Sequence, residues 1–216
     1  MSRCLAAEAL GTAFLLATII GSGIMAQRLA GGNAALTLLC NAIATGAMLV
    51  VLIWVFASIS GAHFNPAVSL AFCICGEMKW PELVPYVAAQ VAGAIIGVWL
   101  AHAMFGEAVW QVSANARDAN GQWLSEAVAT FGLLLAIFAL GPTDRVPLAV
   151  GLYITAAYWF TASTSFANPA VTIARSLSNT FAGIAPSSAP SFIAAQLTGV
   201  AIAVPFTTWL FGKRER

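Results

Sequence analysis

Polar positions are sparse along this chain, and their spacing divides it into long apolar runs. A helix needs about 20 apolar residues to cross a bilayer, and candidate crossings fall at 5–27, 34–58, 83–104, 123–140, 146–161 and 191–211. Two further apolar runs, 66–75 and 169–177, are too short to cross. Each begins within an Asn-Pro-Ala phrase. Asn is a favoured N-cap and Pro suits the first helical position, so each phrase predicts a helix start inside an apolar stretch. Backbone can turn round within a membrane only where protein or a water-filled cavity satisfies its polar groups. The two short runs therefore predict re-entrant segments beside a lined cavity.

Composition agrees with this pattern. Apolar residues make up 60% of the 216 positions and charged residues 8%, against about 25% charged in a soluble domain. The chain reads as an all-α integral membrane protein in contact with the lipid bilayer. A net charge of +1 with no basic cluster excludes nucleic acid as a partner. Cys4, Cys40, Cys73 and Cys75 lie in or beside apolar segments, which suggests reduced thiols rather than a disulfide framework. Arg3 followed by an apolar run resembles a signal peptide. However, Glu8-Ala-Leu-Gly-Thr12 reappears as Glu126-Ala-Val-Ala-Thr130 at the head of the fourth crossing, so the first run reads as a retained span.

That recurrence belongs to a larger repeat. Glu8 pairs with Glu126, Asn65 with Asn168, and Gln90 with Gln196, in the same order in both halves. The last pair sits in Tyr86-Val-Ala-Ala-Gln-Val-Ala-Gly93 and Phe192-Ile-Ala-Ala-Gln-Leu-Thr-Gly199. Each half holds two spans, a short re-entrant segment and a third span. An odd number of crossings turns the second half upside down relative to the first. The expectation is a single transmembrane domain over 1–216, made of inverted repeats at about 1–110 and 122–216, with its site near the midplane. With both termini on the cytoplasmic side, Arg3, Lys79, Arg145, Lys213, Arg214 and Arg216 lie inside, and Arg28 and Arg117 fall in outer loops. This obeys the positive-inside bias, and the 213–216 tail reads as a solvated anchor.

Inverted topology brings one short helix in from each side, so that the two N-termini meet. Their dipoles, worth about half a charge each, then face a common lumen into which Asn65 and Asn168 can donate hydrogen bonds. Such a junction repels cations and protons while passing neutral solutes.

The phrases Ser60-Gly-Ala-His-Phe-Asn-Pro-Ala-Val68 and Phe166-Ala-Asn-Pro-Ala170, with the paired Glu-x-x-x-Thr and Ala-Ala-Gln-x-x-Gly segments, resemble the aquaporin, or major intrinsic protein, family over almost the whole chain. The resemblance implies six transmembrane helices plus two half-helices, a pore within each subunit, and a homotetramer in the cell membrane. It also implies passage of water or small neutral solutes, with no enzymatic activity, cofactor or metal. The pore signature would be Asn65, Pro66, Ala67 with Asn168, Pro169, Ala170. Glu8 and Glu126 would be the family's buried glutamates, which hold the half-helix loops by accepting backbone N–H bonds.

The family usually places an arginine directly after the second Asn-Pro-Ala, in a filter with an aromatic on helix two and a residue on helix five. Here Val171 takes that arginine's place, Thr45 matches the aromatic position, and Ser165 matches the loop position. For helix five, aligning Gly151 points to Tyr158 and ungapped counting points to Ala156. These exchanges predict a wider, less polar constriction that admits water and bulkier neutral solutes such as glycerol, urea, and boric or arsenous acid. Relatives with altered filters are linked with metalloid permeation.

Arg175 lies about 40° round the helix from Val171 and about 6 Å further out. Helical side chains lean back over the preceding turn, so its guanidinium either reaches filter height, binds outer-loop carbonyls, or snorkels to water. His63 is either a pore-lining donor or a packed histidine. Cys73 and Cys75 fall on different faces of a short helix and favour packing over metal binding. Gly93 and Gly97 make a small-x-x-x-small phrase for close helix contact, and the outer loop 105–121 reads as a solvated connector or as one that dips toward the mouth. An ion-coupled secondary transporter is the rival class, but only Glu8 and Glu126 would serve coupling, and neither sits beside the short segments.

Overall fold

The computed structural model describes residues 1–212; the tail assigned above as a solvated anchor, with Lys213, Arg214 and Arg216, lies outside the described residues. The described chain is helical: α1 (Ser2–Leu29), α2 (Ala34–Ser60), α3 (Pro66–Ile74), α4 (Trp80–Phe105), α5 (Asn120–Leu140), α6 (Val146–Phe160), α7 (Pro169–Arg175) and α8 (Ala189–Phe211). Five of these are long and apolar enough to cross a membrane. The sixth crossing, α6, has 15 residues, because the chain leaves the helix at an extended Thr161 and turns straight into the second short segment.

α3 and α7 start where the Asn-Pro phrases lie. The Asn65 side chain accepts from the Ala67 N–H, and the Asn168 side chain accepts from the Ala170 and Val171 N–H groups. Pro66 and Pro169 follow at the first helical position, where no N–H is needed.

The two halves pack alike. α1 lies along α4, and α5 along α8. Gly93 and Gly97 let α4 approach the α1 backbone, and a Cβ at either would strike the carbonyl of Ala9 or Ala13. The small-residue phrase thus serves a contact inside the chain. α2 meets α6 at Gly46 and Gly151, where a Cβ on either glycine would stand 2.6 Å from the other's carbonyl oxygen. α3 packs on α4, α5 and α8, α7 packs on α1, α4 and α8, and the two short helices touch. Each short helix is therefore held by both halves. Large apolar side chains such as Val84, Leu124 and Trp209 stand exposed, which suits a surface that faces lipid.

Candidate functional site

Both re-entrant turns use backbone that side chains disfavour. Ala62, Phe64, Ser165 and Ala167 have φ of 52°, 48°, 50° and 48°, and Thr164 has 63°. Counted from Asn65 and Asn168, Ala62 matches Ser165, Phe64 matches Ala167, and Gly61 matches Thr164. Such left-handed conformations each cost of order 1 kcal/mol or more and persist only when their surroundings over-determine them. Two buried carboxylates do this. Glu8 accepts from the N–H groups of His63 and Phe64 at 3.0 and 2.7 Å, from Ser60 Oγ at 2.6 Å and from Gln90 Nε2 at 2.8 Å. Glu126 accepts from the N–H groups of Phe166 and Ala167, both at 2.8 Å, and from Gln196 Nε2 at 2.6 Å. Gln90 and Gln196 also bond the hydroxyls of Ser69 and Thr172 on the short helices.

The turns are tied to each other as well. Asn65 Nδ2 donates to the Ala167 carbonyl at 2.7 Å, and Asn168 Nδ2 donates to the Phe64 carbonyl at 2.8 Å. One N–H of each amide is thereby taken, and the second is left for the cavity that both asparagines line. This cavity, of about 480 Å³, runs between the repeats from Glu77 and Asp144 on the amino-terminal side to Arg175 on the other. Pro66, Ala67, Pro169 and Ala170 are buried behind the asparagines, building the helix starts.

Thr45, Tyr158, Ser165, Val171 and Arg175 come together on the cavity wall towards the far side. Of the two helix-five alternatives, Tyr158 faces the cavity, whereas Ala156 is exposed on the opposite face. Tyr158 donates its hydroxyl to Thr45 Oγ1 at 3.3 Å across α2 and α6, and the buried Ser165 Oγ has no partner among the described residues. Thr45, Tyr158 and Ser165 thus bring hydroxyl-bearing residues of α2, α6 and the second turn to the wall beside Val171.

Arg175 does not snorkel. It is 2% exposed, its Nε–H is donated to the Ala182 carbonyl, and its guanidinium carbon lies 3.4 Å from the centre of the Phe166 ring. It binds a loop carbonyl and lines the cavity together, so the alternatives posed by the sequence are not exclusive. His63 is half-buried on the cavity wall, with Nδ1 3.0 Å from Ser69 Oγ and its ring 4.5 Å from that of Phe72. Counted from the asparagines, His63 matches Phe166 and Phe72 matches Arg175. Each pair sets an aromatic ring against a nitrogen-bearing side chain, with the positions exchanged.

The segment 105–121 is not a plain solvated connector. It is stitched to the chain after α7: the Ser113 N–H donates to the Ser176 carbonyl at 2.9 Å, and the Ala185 N–H donates to the Asn115 carbonyl at 2.7 Å. Arg117 donates Nε–H to the Gly183 carbonyl at 3.0 Å and Nη1–H to the Ser163 carbonyl at 3.2 Å, and it stands 5.1 Å from the Phe166 ring centre. Burial pulls its pKa below the usual arginine value, and the charge of Glu126 opposes this. His102, fully buried at the end of α4, bridges the Val109 carbonyl and Ser178 Oγ. Sequence reasoning assigned neither residue a place here, because no local spacing marks contacts made so far along the chain. Cys73 packs with Met78 and Tyr86.

The family model described as "Major intrinsic protein" matches residues 1–146. The aquaglyceroporin AqpS of Rhizobium meliloti (strain 1021) is 54% identical over 210 residues, covering 96% of this chain and 89% of that protein. Aquaporin NIP1-3 of Oryza sativa subsp. japonica is 34% identical over 176 residues, covering 77% of this chain and 60% of its own. The X-ray structure of the aquaglyceroporin from Plasmodium falciparum superposes with a TM-score of 0.74, covering 97% of this chain and 96% of that one at 21% identity, a likeness of fold. Paired helix starts, paired carboxylate clasps and these matches together make the chain a member of the major intrinsic protein family.

Proposed function

We propose that this protein is a passive channel for water and small uncharged solutes across the membrane it spans. The reading rests on the junction where Asn65 and Asn168 cap two opposed helices and bond each other's turns beside a continuous cavity. The positive ends of two helix dipoles and two free amide N–H bonds offer a permeant partial compensation for lost water, while an entering cation meets repulsion. The repeats at about 1–110 and 122–216 supply one half of this junction each.

The constriction favours solutes larger than water. Thr45, Tyr158, Ser165 and Val171 set its wall, and Arg175 closes its far side. Glycerol-sized polyols, urea and metalloid hydroxides such as arsenous acid fit this chemistry, and aquaglyceroporin names among the relatives support the polyol class. His63 lines the opposite end. The subunit is taken to act as a homotetramer in the plasma membrane with both termini cytoplasmic.

Coupled transport is disfavoured by Glu8 and Glu126, whose oxygens are engaged by turn N–H groups and glutamine amides away from the cavity wall. Stopped-flow swelling of reconstituted vesicles tests the proposal with water, glycerol, urea and arsenous acid. Linear, gradient-independent flux with a low activation energy is expected. Saturation, or collapse with the proton gradient, would favour the transporter.

A further inference from the structure

Two guanidinium groups share one aromatic ring at the far end of the cavity. Arg175 stands 3.4 Å and Arg117 5.1 Å from the centre of Phe166. Neither forms an ion pair among the described residues. Arg175 is buried and Arg117 half-buried; holding two like charges side by side with so little water is costly, so their retention points to a task at this mouth.

Their hydrogen bonds differ in kind. Arg117 spends its Nε–H and Nη1–H on the Gly183 and Ser163 carbonyls and does not line the main cavity. Arg175 donates its Nε–H to the Ala182 carbonyl, does line the cavity, and has no other acceptor among the described residues. The two arginines therefore hold consecutive carbonyls, at 182 and 183. Whatever moves that peptide moves the anchor of Arg175. Ser163, the second carbonyl partner of Arg117, lies at the turn that carries Ser165 and Phe166. A planar fork can fix two carbonyls in this way, and an ammonium cannot.

We propose that Arg117, Phe166 and Arg175 form one unit that rebuilds the constriction outward of Val171. Phe166 is its aromatic wall, Arg175 its solute-facing cation, and Arg117 the positioning residue that fixes the other two. The unit restores the aromatic and cationic character that Thr45 and Val171 lack. This deepens the channel reading and rests on it.

The test is a double-mutant cycle on Arg117→Gln and Arg175→Gln in reconstituted vesicles, reading the glycerol-to-water permeability ratio, with thermal unfolding in detergent as the control for folding. Arg175→Gln is expected to raise the ratio about tenfold, the scale of one pocket contact in solute discrimination. Arg117→Gln should shift it in the same direction, and the double variant should not exceed Arg175→Gln alone. Effects that multiply in the double variant, or an unchanged ratio in a stably folded Arg117→Gln, overturn the proposal. Arg117→Lys keeps the charge without the fork and should also raise the ratio, which covers the case in which Arg117→Gln does not fold. A wild-type ratio in Arg117→Lys would assign the effect to charge alone and overturn the positioning role. Wild-type vesicles no more permeable than protein-free ones would instead remove the channel reading itself.

Discussion

Asn65 and Asn168 each donate a side-chain N–H to the backbone of the other's turn, at 2.7 and 2.8 Å. Each also caps its own short helix through Oδ1. Helix start and inter-repeat contact are thus made by the same amide, and neither half can shift without loosening both.

Asn168→Ala removes a cap and leaves the buried Phe64 carbonyl without its donor. A loss of about 3 kcal/mol is expected, read as a lower unfolding temperature in detergent, together with slower water flux. Stability within about 0.5 kcal/mol of wild type would contradict the coupling of the turns, since surface changes are of that size.

Glu126→Gln replaces an acceptor of three N–H bonds by a group that must point two donors at the same site. A destabilisation of about 2–4 kcal/mol is expected, because buried donors are left unmade. Glu8→Gln should behave alike. The measurement is thermal or denaturant unfolding, and a neutral outcome at both sites would show that the strained turns hold without their clasps.

Val171 is 3% exposed and lines the cavity beside Tyr158 and Thr45. Val171→Arg should narrow the solute range, lowering glycerol and arsenous acid rates more than the water rate. Stopped-flow swelling of vesicles carrying each variant reads this directly; unaltered glycerol and metalloid rates would count against the assigned constriction.

Tyr158→Phe removes the 3.3 Å bond to Thr45 and leaves the ring. The stability cost is about 0.5–1 kcal/mol, while the glycerol-to-water ratio should rise as the wall loses a cross-link. A ratio equal to wild type would place Tyr158 in packing alone.

Gly93→Val tests the packing that carries the site. The added side chain meets the Ala9 carbonyl of α1, which is backbone and cannot move aside cheaply. A loss of about 3 kcal/mol is expected, at the upper end for overpacked contacts, with reduced yield of folded protein.

Much of the architecture was legible in the chain itself. Scarcity of charge declared the membrane, run length separated crossings from re-entrant segments, and the Asn-Pro phrases marked both short helices, because each of these signals is local. Recurrence of Glu8, Asn65 and Gln90 as Glu126, Asn168 and Gln196 then supplied the inverted order. Only the tertiary structure brought together the residues on the far wall of the cavity. Thr45 and Tyr158 bond across a separation of 113 residues, and no periodicity within α2 or α6 announces which turn will face the other. Arg175 looked like a displaced residue with three possible fates, and only the carbonyl of Ala182 and the ring of Phe166 fix where its charge stands. Arg117 carried no signal, since a guanidinium in an outer loop reads as solvated until distant carbonyls close round it. A sequence repeat states which elements must meet; the close packing of their side chains determines which polar groups are left to face the cavity.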